Sequence, residues 1–195
     1  HYTAEQLNAL WTLGKSFAIE VINGAHKIVR AYDQFDKKAV ITWDQLLCSG
    51  RKITALGASD AHSPDYIGTV WTGVFAKQRT AKSIIKALNM GYCFASESTL
   101  MDFSCNGNPM GSTVRKRQGA KLTFNFKAAD AAALNCIRII SQAKVIKELF
   151  LKGKTVIDNT WSTALRGKRT YYRLETIASD DRRAFSTPIY TEKVE

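Results

Sequence analysis

The chain has 195 residues, a formal net charge of +11 and 45% apolar content. That length suits one large or two small globular domains with a buried core. No run approaches the ~20 apolar residues of a membrane helix, and the first residues lack the basic start and apolar core of a signal peptide. These features exclude a membrane span and favour a soluble protein, with the cytoplasm slightly favoured as its compartment.

The positive charge is distributed unevenly along the chain. Residues 1–97 carry 11 Lys/Arg and 8 Asp/Glu, whereas residues 98–195 carry 17 and 9. A basic surface attracts nucleic acid or anionic substrates. However, the basic residues are scattered except for Arg115-Lys116-Arg117, and no aromatic residues interleave with them. The pattern argues against nucleic-acid binding and favours a solvated basic face.

The first half of the chain alternates helix and strand signals. Caps and apolar spacing predict helices starting at Thr3 and Thr80, and a third within KKAVITWDQLLCSG. Apolar runs predict strands at 17–22, 53–58, 69–76 and 92–95. This alternation is typical of an α/β layer or barrel with parallel strands.

The second half loses the helical spacing after about residue 98. Short strand-like segments follow one another at 100–105, 121–128, 135–141, 145–151, 170–177 and 189–194, and the one helical hint is DAAAL at 130–134. Six or seven short strands in about a hundred residues suggest a small antiparallel β-sandwich of immunoglobulin-like type. We therefore predict two domains, 1–97 and 98–195.

The stretch GASDAHSP follows the strand predicted at 53–58 and contains the pair Asp60-x-His62. Residues two apart in an extended segment share a face, so a carboxylate and an imidazole here can reach one point. That donor pair suits Zn²⁺, Mn²⁺ or Fe²⁺. The alternative is structural: Asp60 ends the strand in a turn, and His62 is a surface loop residue.

The surroundings of this pair carry a family resemblance. The run ITALGASDAHSPDYIGTVWTGVFAKQRTAKSIIKALNMGYCFAS resembles the last motif block of the PHP (polymerase and histidinol phosphatase) superfamily of metal-dependent phosphoesterases. The matching features are G-x-S-D-A-H, then Gly68 and Thr72, a helix and an aromatic-small strand. AIEVINGA and WDQLLCSGRKITALG look like the two preceding pieces. The resemblance covers about residues 15–97, and is greatest to a branch with a C-terminal β-sandwich.

The resemblance implies a fold and a chemistry. It implies that residues 1–97 are part of a distorted (β/α)₇ barrel whose site holds two or three divalent metal ions (Zn, Mn or Fe). Such ions activate water against a small anionic ester. The metal-ligand positions would be Asp60 and His62. Glu20 and Asn23 are possible site-lining residues, and their alternatives are a solvated strand-end carboxylate and a turn-forming Asn.

Ligands expected from the family are missing. The chain has three histidines, none in His-x-His spacing, and His1 and His26 are weak ligand candidates. A catalytic metal needs about three protein ligands. We therefore expect the C-terminal part of a phosphoesterase, inactive alone, whose site is completed by the missing N-terminal half of the barrel or by a second copy.

A group of aromatic residues supports a competing function. In the competing function, the β-sandwich is a non-catalytic binding module that uses Trp161, Tyr171 and Tyr172. The alternative interpretation of these three residues is core packing.

The cysteines form no metal-binding spacing and suit small core residues; they are Cys48, Cys93, Cys105 and Cys136.

Overall fold

The computed structural model of the chain describes residues 3–11, 18–24, 32–167 and 169–195. Within these ranges the α-helices are α1 (Ala4–Trp11), α2 (Gln34–Cys48) and α3 (Ala81–Asn89). The strands before residue 98 are β1 (Ala18–Asn23), β2 (Thr54–Ala58), β3 (Trp71–Val74) and β4 (Cys93–Ser96). The later strands are β5 (Leu100–Cys105), β6 (Asn108–Pro109), β7 (Thr113–Lys116), β8 (Lys121–Ser141), β9 (Lys144–Ala164), β10 (Arg169–Ala178), β11 (Arg183–Ser186) and β12 (Ile189–Lys193). None of the described helices is long and apolar enough to cross a membrane.

Local sequence explains the two longer helices. A reciprocal capping box starts α2: the Asp33 carboxylate accepts from the Asp36 backbone N–H, and Asp36 accepts from that of Asp33. One face of α2 is apolar, and Trp43 on it is fully buried. Thr80 caps α3 by accepting from the Ser83 N–H. These helices lie where the periodicity predicts them.

The strands form two sheets. β1 and β2 pair in parallel as a two-stranded sheet. The other ten strands form one sheet, along the path β3-β4-β11-β10-β8-β5-β6. Three strands branch from that path: β9 pairs with β8, β12 pairs with β10, and β7 pairs in parallel with β12. Apart from this last pair, the ten-stranded sheet is antiparallel.

The predicted partial (β/α) barrel is wrong. β3 runs antiparallel to β4, with Trp71 opposite Ser96, although α3 lies between them in the chain. No α-helix connects β2 to β3; a single 3₁₀ turn, Pro64–Tyr66, lies there. The alternation of helix and strand signals does not fix strand direction, and here β3 and β4 join the antiparallel sheet.

The immunoglobulin-like sandwich is also wrong in its topology, because one sandwich-like, curled sheet replaces two separate sheets. The segments predicted at 121–128 and 135–141 are one strand, β8, of 21 residues, and β9 is equally long. The DAAAL hint lies at an irregularity between Ala129 and Leu134, where Ala133 has a φ of 69°. Such a bulge bends a strand, so β8 pairs with β5 before it and β10 after it.

The buried apolar residues in the described ranges form two clusters. One lies inside the curled sheet and includes Phe103, Phe124 and Leu174. The other packs α2, β1 and β2 against β10, β11 and β12 through residues such as Trp43 and Phe185. The second cluster therefore contains side chains from both sides of residue 98. The domain boundary at residue 98 stays a prediction.

Candidate functional site

The carboxyl ends of β1 and β2 meet at one edge of the two-stranded sheet. Asn23 pairs with Ala58, and the Gly24 N–H donates to the Ala58 carbonyl at 2.8 Å. The contact at Gly24 requires glycine, because a Cβ there would lie 2.3 Å from the Ser59 carbonyl oxygen. The Asp60-x-His62 stretch therefore begins directly beside the end of β1.

Asp60 and His62 approach each other across a turn rather than along a strand. β2 ends at Ala58, and Asp60 adopts a left-handed φ of 47°, which Asp tolerates better than most residues. The His62 Nδ1 lies 2.7 Å from the Asp60 carbonyl oxygen and 4.0 Å from the Asp60 Oδ1. Both side chains reach water, with exposed fractions of 63% for His62 and 48% for Asp60.

The hydrogen bond to the Asp60 carbonyl has a chemical consequence for His62. A carbonyl only accepts, so the neutral ring donates from Nδ1 and carries its lone pair on Nε2. Metal-binding histidines are commonly oriented in this way by a backbone carbonyl. Nε2 is then the ring nitrogen that would ligate an ion, while the Asp60 carboxylate lies 4.0 Å from Nδ1.

Glu20 and Asn23 are close to each other on β1. The Asn23 Nδ2 donates to Glu20 Oε1 at 2.7 Å, and the Asn23 N–H donates to Asp36 Oδ1 at 3.0 Å. The Asn23 side-chain oxygen is buried and has no hydrogen-bond partner among the described residues. Glu20 is exposed and lies opposite Leu56, further from the edge. Asn23 therefore lies at the edge formed by the two strand ends, and Glu20 below it.

The described residues include no complete metal site. No group of three or more His, Cys, Asp or Glu side chains within the described ranges is arranged to hold a metal ion. Asp60 and His62 are two suitable donors where a catalytic ion needs about three. His1 and His26 lie outside the described residues. The described residues therefore fit a catalytic metal only in part.

The cysteines do not add ligands at this edge. Cys93, Cys105 and Cys136 are buried as predicted, whereas Cys48 is exposed, so the prediction is wrong for Cys48. Burial raises the pKa of Cys93 to about 11 and that of Cys105 to about 12. These thiols stay protonated near neutral pH and are poor metal ligands or nucleophiles.

Three residues acquire structural roles that the motif alone does not reveal. Thr72 joins β3 to β2: its Oγ1 accepts from the Gly57 N–H at 2.9 Å and donates to the Gly57 carbonyl at 2.8 Å. A Cβ at Gly57 would lie 3.0 Å from Val70. Asp36 supports the site edge by accepting a hydrogen bond from the Asn23 N–H. The sequence motifs did not indicate this role, although the Asp33-x-x-Asp36 spacing indicates the capping box that holds Asp36.

Comparisons with known proteins relate part of the chain to a family. Residues 45–93 match the family model PHP_C, described as PHP-associated. The match includes Asp60, His62, Gly57 and Thr72, and it supports a relation to proteins of the PHP superfamily. It spans about a quarter of the chain. No match was found among the curated proteins.

One solved structure is similar over most of its length. It is a neutron crystallographic structure of a Jonesia denitrificans lytic polysaccharide monooxygenase, 14% identical, covering 77% of this chain and 93% of that chain, with a TM-score of 0.31. A similarity this weak carries no argument about the function of this chain.

Proposed function

We propose that this chain contributes Asp60 and His62 to a divalent-metal site of a PHP-related hydrolase that acts on a small anionic ester of the phosphoester class. The observation that supports the proposal most is the Asp60–His62 contact beside the ends of β1 and β2. The PHP-associated match covers both residues. The remaining ligands come from residues outside the described ranges, from another segment of the protein or from a second copy.

The residues of this chain have distinct roles in the proposed site. The Asp60 carbonyl orients the His62 ring so that Nε2 ligates, and the Asp60 carboxylate adds an oxygen ligand. Asn23 and Asp36 hold the neighbouring strand end in place. A divalent ion, when bound, supplies the Lewis acidity that activates water and stabilises the charge that develops on the ester.

The competing function, a binding module in the β-rich half, lacks its expected aromatic surface. Tyr171 and Tyr172 are almost completely buried, and Trp161 packs against the core, where its ring stacks on Phe124 at 5.6 Å. Their core-packing interpretation therefore accounts for all three residues.

Calorimetric titration with Mn²⁺ or Zn²⁺ tests the two proposed ligands. We expect weak binding near one ion per chain, which is lost in Asp60→Asn and in His62→Gln. Asp65→Asn is the matched control, because it removes the same charge from an exposed residue of the same loop. Equal binding by all four proteins would contradict the assignment.

An activity assay tests the ligand count separately. With a chromogenic phosphodiester and added Mn²⁺, we expect little turnover from the chain alone, because two ligands hold an ion loosely. Strong metal-dependent turnover that disappears in Asp60→Ala would contradict an incomplete site. It would also show that the missing ligands are supplied by a partner copy or by residues outside the described ranges.

A further inference from the structure

A second concave site lies at the opposite end of β2 from Asp60 and His62. It is a cavity of about 890 Å³, lined by the segment that precedes β2, the turn after α3, and residues of β7 and β12. β2 runs for about 13 Å, at ~3.3 Å per residue, from Thr54 at this cavity to Ala58, and the Asp60–His62 turn follows its far end. The two sites are therefore separate, and the cavity lies where residues from both sides of residue 98 meet.

The wall of this cavity is positively charged. Arg51, Lys52 and Arg115 line it, and the described lining residues include no Asp or Glu. A concave surface of one charge sign concentrates the opposite charge in solution. Three cationic side chains in one cavity favour an anionic ligand.

The cationic side chains are held in place around Glu192 of β12. Lys52 Nζ lies 3.5 Å from the Glu192 carboxylate and donates to Thr113 Oγ1 at 2.7 Å, and Arg115 Nε donates to Glu192 at 3.1 Å. Parallel pairing places Arg115 opposite Glu192. Lys52 also lies 5.6 Å from the centre of the Tyr190 ring. One carboxylate thus organises two cations and neutralises only one of them.

The remaining wall mixes residues that carry hydroxyl groups with apolar side chains such as Leu56 and Leu88. Thr54, Ser112 and Thr187 line the cavity, and the Thr187 hydroxyl contacts Cys93 Sγ at 3.6 Å. Gly111 packs its backbone directly on the turn after α3, where a Cβ would lie 2.2 Å from the Met90 carbonyl oxygen. The volume falls in the usual range for small-molecule sites and exceeds the size of a bare phosphate ion. Hydroxyl donors beside a cationic cluster suit a hydroxylated molecule that carries a phosphate.

We propose that this cavity binds a phosphorylated small molecule of the sugar-phosphate class, with the phosphate on Lys52, Arg115 and Arg51 and the hydroxylated body against the threonine and serine side chains. Guanidinium and ammonium groups make strong charge-assisted hydrogen bonds to phosphate oxygens. This site does not depend on the proposed metal site.

Binding of ribose 5-phosphate, measured by calorimetry at low salt with a chelator present, tests the proposal. We expect binding that ribose and inorganic phosphate do not match. The double variant Lys52→Met/Arg115→Gln should weaken it by about tenfold or more, because two charge-assisted contacts are lost. The double variant Lys127→Met/Arg117→Gln is the control: it removes the same charge outside the cavity lining and should bind like the unmodified chain.

Other outcomes would overturn the proposal. No binding, or equal binding of ribose and ribose 5-phosphate, would exclude a phosphate site. Equal weakening of binding in both double variants would show that the effect comes from the net charge of the protein alone. If inorganic phosphate binds as tightly as ribose 5-phosphate, the cavity does not recognise the sugar. Loss of binding in His62→Gln would assign the ligand to the metal-site edge instead.

A charge-conserving double variant, Lys52→Arg/Arg115→Lys, is a further control. It should retain binding, which shows that the loss in Lys52→Met/Arg115→Gln comes from the lost charges and not from misfolding.

Discussion

At the residue scale, a buried ion pair joins α2 to the large sheet. Arg173 of β10 donates from Nε and Nη2 to the two carboxylate oxygens of Asp44, at 2.9 and 2.7 Å. The Arg173 side chain is 3% exposed and also lies 5.1 Å from the Trp43 ring. Burial acts to lower the pKa of Arg173. The hydrogen bond and the negative charge of Asp44 raise it above its ordinary value, so Arg173 stays charged.

Removing Asp44 should therefore destabilise the protein strongly. Asp44→Ala leaves the buried Arg173 guanidinium without its bidentate partner, which typically costs about 3–5 kcal/mol in the free energy of unfolding. Urea denaturation measures the change. Asp158→Ala removes the partner of Lys127 in an exposed pair and should have no measurable effect. Equal stability of the two variants would contradict this role for Asp44.

Asp130 predicts a dependence of stability on pH. Burial acts to raise the pKa of Asp130, but hydrogen bonds from Ser98, Thr99 and the Ala132 N–H outweigh it, and the pKa is lowered. The ionised form is thus favoured by folding. The stabilisation is present above the ordinary carboxyl pKa of about 3.9 and is lost as pH falls through the lowered value.

The comparison of Asp130→Asn with the unmodified chain tests this pH dependence. At pH 7 the variant should lose about 1–3 kcal/mol of unfolding free energy, because Ser98 and Thr99 lose a charged acceptor. The difference should narrow as the pH is lowered below about 4. A difference that stays constant from pH 7 to pH 3 would contradict the role assigned to the Asp130 charge.

At the element scale, the contact between the α3–β4 turn and the β6–β7 turn depends on glycine. Gly111 has a φ of +84° and no room for a Cβ, whereas Gly119 has a φ of +78° and nothing within 4 Å of a built Cβ. Both positions carry the cost of a left-handed backbone for any other residue. Gly111 has a packing cost in addition.

Alanine at the two glycines should separate these costs. Gly119→Ala should lose about 1–2 kcal/mol from backbone strain alone. Gly111→Ala should lose about 1–3 kcal/mol more, because its methyl group overlaps the Met90 carbonyl. Thermal unfolding of the two variants measures the difference. Equal losses would contradict the close backbone contact.

Sequence patterns predicted elements better than their arrangement. Caps, apolar spacing and alternation predict the helix that begins after Thr80 and the strand at 100–105, because these signals act within a few residues. The direction of β3 and the fusion of two predicted segments into β8 depend on hydrogen bonds between distant residues. The residue pattern indicates the Asp60–His62 pair but not the left-handed φ of Asp60, because a local pattern does not show at which residue a strand turns.

At the scale of the whole molecule, one sheet and one shared cluster connect the two predicted domains. β4 pairs with β11, and the cluster around Trp43 includes Tyr171, Phe185 and Tyr190. Burial of this apolar surface links α2, β1 and β2 to the stability of the sheet. The division at residue 98 therefore separates segments of sequence that pack together.

We accordingly expect both segments to unfold in one transition. Two variants, one retaining only Trp43 and the other only Trp161, report on each side by fluorescence. We expect the two fluorescence transitions to have the same urea midpoint. Circular dichroism of each variant gives the stability change for which its midpoint is corrected. A fluorescence transition of Trp43 that precedes loss of the β-sheet signal would instead support two independently folding domains.

The central claim, that Asp60 and His62 ligate a divalent metal, is tested most directly by anomalous diffraction from crystals grown with Zn²⁺. We predict a peak at the zinc edge about 2.0–2.2 Å from His62 Nε2 and from an Asp60 carboxylate oxygen. Crystals of Asp65→Asn should retain the peak, and those of His62→Gln should lose it. The claim would be contradicted by zinc bound only at other residues. It would also be contradicted by crystals at saturating Zn²⁺ that show no metal density beside the His62 imidazole.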